Sequence, residues 1–146
     1  MKMDVYAIDS PHFLVPIAEV FVLNRAAFQS ATKHNNAPDS GFALGEVACT
    51  VGFFDGVHRG HQYVLQTLRT AAQQRALPTV AVTFAQHPRS LVSQTTPPPA
   101  LTTLGEKIER MGACHIDAVA VLNFTPEMAR LSAQEFMAQV LREGLG

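Results

Sequence analysis

The feature that most constrains this chain is a repeated alternation: short apolar, β-branched runs, with stretches of helical period between and after them. VACTVGFF (residues 47–54) is bounded by Asp55-Gly56, as a buried strand would be. RGHQYVLQTLRTAAQQR follows, with Val64, Leu65, Leu68, Ala71 and Ala72 on one helical face. Pro78 separates that helix from TVAVTF (79–84), and AVAVLNF (118–124) supplies a third run. Thr103 with Glu106, and Ser132 with Glu135, have capping-box spacing. They open helices over LGEKIERM and over a stretch whose apolar face is Phe136, Met137, Val140 and Leu141. Thr125-Pro126 starts a further turn. Strands that alternate with helices bury both faces as a parallel sheet, so the expected class is α/β.

Composition excludes several function classes. A length of 146 residues gives room for one domain. At 47% hydrophobic, intrinsic disorder is excluded for most of the chain. Eleven basic against twelve acidic residues lack the positive field of a nonspecific nucleic-acid binder, so no nucleic-acid partner is expected. Cys49 and Cys114 are the two cysteines, with no CxxC, which argues against a disulfide framework or a zinc site. The longest apolar stretch, 12–23, is broken by Pro16 and Glu19 and is too short to span a bilayer. It also lacks the flanks of a signal peptide. A cytoplasmic protein with no membrane partner is expected. Residues 29–46 have linker composition, so 1–46 reads as an N-terminal extension and linker.

The chemistry concentrates in VGFFDGVHRGHQYVL (51–65). A strand runs into a glycine-bearing loop and then into a helix near Gly60-His61. His58 and His61 stand three apart at that helix's start, so both imidazoles can address one spot. The helix N-terminus favours an anion there, through its free N–H groups and its dipole. Two imidazoles add directed donors. This is equipment for phosphoryl or nucleotidyl transfer by charge stabilisation. In a chain with six His and nine Gly, about 0.015 chance HxGH matches are expected.

HRGH (58–61) is similar to the HxGH signature of the nucleotidyltransferase superfamily. The longer GFFDGVHRGH (52–61) resembles the adenylyltransferase module of bacterial FAD synthetases, the bifunctional riboflavin kinase/FMN adenylyltransferases. TFAQHP (83–88) resembles that family's second motif. LTTLGEKIERM, and then residues 116–141, follow its order of Leu-Thr, Glu-Lys, Asp, Phe-Thr and Ser-x-x-Glu-Phe.

The resemblance implies a Rossmann-like sheet of the nucleotidyltransferase type and transfer of AMP from ATP to FMN, giving FAD and pyrophosphate. His58 and His61 would be catalytic. Gly52, Phe53, Phe54, Asp55, Gly56, Gly60 and His87 would surround the nucleotide, with Asp55 holding the loop. Thr83, Phe84 and Pro88 would lie beside the flavin. Mg2+ would enter with ATP, with no protein metal site. Lys107 and Arg110 are expected on a solvated helix face, and the prolines 97–99 as a stiff flap or a simple linker.

The family's module continues past the point reached here, and its kinase domain lies further on. The expectation for residues 47–146 is therefore an incomplete adenylyltransferase-like domain without a riboflavin kinase domain. A clipped sheet would expose an unpaired edge, so self-association through it is expected. Two other readings stay open at this point. One is a nucleotide- or flavin-binding module without activity. The other is an HxGH nucleotidyltransferase acting on a different phosphorylated acceptor.

Overall fold

The computed structural model describes residues 4–6, 17–22, 46–87 and 99–142. Five strands form one sheet in the order β1-β2-β5-β4-β3. Its parallel part is β3 (Ala48–Val51), β4 (Thr79–Phe84) and β5 (Ala118–Leu122), as the alternation of runs requires. β1 (Asp4–Tyr6) and β2 (Ile17–Val22) join antiparallel on the far side of β5, with a register irregularity between Ile17 and Glu19. The span expected to be extension and linker thus supplies two strands. Their signal is weak in the sequence because antiparallel neighbours need no helix between them to punctuate the runs.

The buried strands β4 and β5 read as continuous apolar runs because helices cover both faces. Val80, Val82, Ala118, Ala120 and Leu122 point to one side, against Met128 and Val140. Ala81, Val119 and Val121 point to the other, against Leu65, Ile108 and Met111. Their spacing is the period of two that strands impose. Each fully buried Leu, Ile or Val contributes roughly 1.5–3 kcal/mol. β3 differs from the expected buried strand. Only β4 pairs with it among the described residues, and its residues are half-buried, with Val51 38% exposed.

Helix α1 (Arg59–Gln73) buries Leu65 and Ala72, with Leu68 packed beside them. Val64 and Ala71 face outward instead, because each lies about 100° off that stripe. Helix α2 (Leu104–Ala113) opens on the expected capping box of Thr103 and Glu106. It buries Ile108 and Met111, and also Lys107. A short helix, α3 (Pro126–Ala129), is capped by Thr125. Helix α4 (Ala133–Glu135) carries the Ser132–Glu135 capping box and runs on as a π-helical stretch, Phe136–Arg142. The wider i→i+5 turn breaks the expected apolar stripe: Val140 is buried while Met137 is 61% exposed.

At the amino ends of β4 and β5, Asp117 ties the strands together. Its Oδ2 accepts from the Thr79 N–H at 2.8 Å and the Thr79 hydroxyl at 2.7 Å, and the Asp117 N–H donates back to that hydroxyl at 2.9 Å. The opposite, carboxyl ends are the place where open α/β sheets form their ligand crevices.

Candidate functional site

The loop leaving β3 is built from unusual backbone. The Gly52 N–H donates to Val82 O at 3.0 Å, which keeps the chain beside β4 for one more residue. Phe54 then takes a left-handed conformation (φ 54), and Gly56 has φ 71 inside the 3-10 turn Asp55–Val57. The turn delivers the chain to His58, the N-cap of α1.

His58 caps with its ring. Its Nδ1 accepts from the N–H groups of Gly60 at 3.2 Å and His61 at 3.4 Å. A ring that accepts at Nδ1 is neutral and carries its proton on Nε2. Two of the first-turn N–H groups are therefore engaged by this side chain, where the sequence suggested that they face a ligand. Gly60 permits the arrangement, because a Cβ there would stand 3.1 Å from the His58 ring.

His61 stacks on His58, with ring centroids 3.7 Å apart and planes 22° from parallel. Phe54 meets the His61 ring edge-on at 5.3 Å between centroids. His61 Nδ1 is buried and has no hydrogen-bond partner among the described residues. Burial, and then the neighbouring His58, hold the His61 pKa below the ordinary histidine value. The pair is thus two imidazoles in contact at a helix start.

Asp55 binds this loop to the segment before α2. Its carboxylate accepts from the N–H of Leu101 at 2.9 and 3.0 Å, the N–H of Thr102 at 3.0 Å and the Thr102 hydroxyl at 3.0 Å. The same hydroxyl accepts from the Gly56 N–H at 3.0 Å. Burial works to raise the Asp55 pKa, but the hydrogen bonds from Leu101 and Thr102 and the charge of Lys107 together hold it below the usual value. Arg110 donates to Gly56 O at 3.0 Å from an exposed position, as its expected solvated face allows.

Lys107 departs from the expected solvated face: it is 3% exposed. Its Nζ donates to Phe53 O at 2.9 Å and to Phe84 O at 3.1 Å, and stands 4.2 Å from the Phe53 ring centroid. Burial lowers its pKa to about 8, against a partial opposing pull from Asp55. Lys107 shares the spacing of Leu104, Ile108 and Met111, so the helical stripe itself marked it as inward-facing. Thr102 carried no comparable signal, because its bond to Asp55 spans 47 positions of sequence.

The second motif lies against the first. His87 packs on the Phe53 ring at 4.5 Å between centroids. Thr83 is buried, and its hydroxyl donates to Phe53 O at 2.9 Å. Phe84 is buried and meets Phe124 edge-on at 5.6 Å. Both sit behind the site surface. Pro88, and Pro97 and Pro98 of the triple proline, lie outside the described residues. The structure therefore brings together His58, His61, the 52–60 loop, Phe53 and His87. Among the described residues no group of three or more His, Cys, Asp and Glu side chains could hold a metal ion. No helix among them is long and apolar enough to cross a membrane.

A family model described as FAD synthetase matches residues 43–146. The bifunctional riboflavin kinase/FMN adenylyltransferase of Escherichia coli (strain K12) is 37% identical over 110 residues, covering 74% of this chain and 34% of that protein. The protein of the same name from Pseudomonas fluorescens is 39% identical over 97 residues, covering 66% and 31%. The chain spans about a third of the length of these curated relatives. A crystal structure of a protein named as a macrolide-efflux protein from Streptococcus pneumoniae superposes with a TM-score of 0.63 at 26% identity, over 69% of this chain and 35% of that one.

Proposed function

The chain belongs to the FAD synthetase family, and on that premise we propose that it transfers AMP from MgATP to FMN, giving FAD and pyrophosphate. A phosphate oxygen of FMN attacks the α-phosphorus of ATP. The bond from that phosphorus to the bridging oxygen breaks, and pyrophosphate leaves with the electron pair. No bond to the protein forms. The barrier falls through donors aimed at the charge that develops on the phosphate oxygens.

The observation that carries this reading is the stacked His58–His61 pair at the start of α1. With His58 Nδ1 occupied by the cap, its Nε2–H is the donor left for a phosphate oxygen. His61 stays neutral because its pKa is lowered, and a neutral imidazole still supplies one N–H. Gly52, Phe53, Phe54, Gly56 and Gly60 shape the nucleotide side of the loop, Asp55 fixes it from behind, and His87 adds a third imidazole across Phe53. Thr83 and Phe84 act on the flavin side through Phe53 and the core beneath it, with Pro88 following. Magnesium would enter as part of the substrate, held by phosphate oxygens and water.

The test is product formation. The chain, incubated with FMN and MgATP, is expected to release FAD and pyrophosphate in equal amounts, resolved by chromatography. Binding of ATP or FMN without turnover would replace this reading with that of a binding module. Turnover of ATP with another phosphorylated acceptor, but not with FMN, would change the substrate.

A further inference from the structure

Lys107 is a charged group in an apolar stripe, and the steps proposed above do not use it. Burying an ammonium costs heavily unless its donors are satisfied. A methionine in the same stripe of α2 would pack beside Ile108 and Met111 without that cost. What the ammonium adds is visible in its partners. Phe53 O and Phe84 O belong to the segments that leave β3 and end β4, and Lys107 Nζ bridges them. A third contact runs to the Phe53 ring.

Each partner leads to an imidazole of the site. Phe53 precedes Phe54, whose ring packs on His61. The Phe53 ring itself packs on His87, three residues beyond Phe84. Thr83 adds a second donor to Phe53 O, so that carbonyl is held from two directions. Its left-handed neighbour Phe54 starts from a fixed point.

We propose that Lys107 is a positioning residue: by bridging the carbonyls of Phe53 and Phe84 it fixes the relative placement of the HxGH loop and the His87 segment. It touches neither substrate and acts through Phe53 and Phe84. The kinetic part of its test rests on the transfer reaction proposed above; the spectroscopic part does not.

The experiment compares Lys107→Met and Lys107→Arg in the full chain. Ring resonances of His61 and His87 are followed by NMR, with His115, beyond the C-terminal end of α2, as the internal reference. FAD formation from FMN and MgATP is measured alongside. Lys107→Met should displace the His61 and His87 resonances and leave His115 in place. It should lower kcat about tenfold or more, with KM for ATP changed less than about threefold, because misplaced groups lose transition-state contacts first. Lys107→Arg keeps the charge and two or more donors, and should recover most of the rate and the wild-type ring positions.

The proposal is overturned if Lys107→Met leaves the His61 and His87 resonances at their wild-type positions, or if all rings shift alike and Lys107→Arg is no better. If Lys107→Met does not fold, Lys107→Gln, which keeps a donor without the charge, is read by the same criteria. If the wild-type chain forms no FAD, the transfer reading fails, and the ring resonances alone decide the role of Lys107.

Discussion

His58 caps α1 and, in the proposed transfer, donates to a phosphate; one pair of substitutions separates the two roles. As N-cap it accepts from the backbone of Gly60 and His61 through Nδ1, at 3.2 and 3.4 Å. In the proposed transfer it would offer Nε2–H to a phosphate. His58→Ala removes both. Losing a cap side chain costs about 0.5–2 kcal/mol, and these bonds are long and solvent-exposed, so the lower half of that range applies. The stacking contact with His61 at 3.7 Å is lost as well. The expected destabilisation is about 1 kcal/mol, read as a lower denaturant midpoint at constant slope. His58→Asn restores an acceptor to the same two N–H groups, since Asn is among the best N-caps. It should regain most of that stability while forming FAD no faster than His58→Ala, because the ring donor is still missing. Two results would refute the reasoning. Wild-type stability in His58→Ala would mean that the ring does not cap, and wild-type activity in His58→Asn would mean that it does not donate.

Three further outcomes follow from the same geometry. Asp55 has a depressed pKa in the fold, so its clasp on Leu101 and Thr102 contributes fully above the ordinary value of 3.8 and is lost as pH falls below it; Asp55→Asn should flatten the fall in stability between pH 5 and pH 2 (roughly), and an unchanged slope would count against the clasp. His61, held below the ordinary 6.5 by burial and by His58, should titrate with an NMR midpoint under that value, and a midpoint at or above it would contradict the buried Nδ1. Leu65 is fully buried between α1 and the sheet, so Leu65→Ala should cost about 2–5 kcal/mol in denaturant unfolding, whereas a loss under about 1 kcal/mol would place that helix face outside the core.

Much of this arrangement was legible in residue order. The runs 79–84 and 118–122 announced themselves because a strand covered on both faces has no polar alternation to disguise it. Both capping boxes stood in the sequence as spacing and stand in the structure as bonds. The two histidines three apart at a strand–loop–helix junction were legible as a pair, but the direction of the His58 ring was not. Capping by Nδ1 depends on φ and ψ at His58 and on the space that Gly60 leaves, and spacing reports neither. Lys107 turns inward because its place in the stripe of Leu104, Ile108 and Met111 outweighs its charge once Phe53 O and Phe84 O accept from its ammonium. The Asp55–Thr102 clasp joins residues 47 apart, and no local pattern encodes such a distance. The π-helical widening after Glu135 similarly turned Met137 out of the face that a 3.6-residue period gives it.

A barrier-lowering role for the His58–His61 pair, beyond holding a nucleotide, is read from single-turnover FAD formation in wild type and His61→Ala, with ATP affinity measured on both. The expected rate in His61→Ala is lower by about two to three orders of magnitude, with ATP affinity changed only modestly. A mutant that forms FAD at the wild-type rate, or one whose entire loss is in ATP affinity, would contradict it.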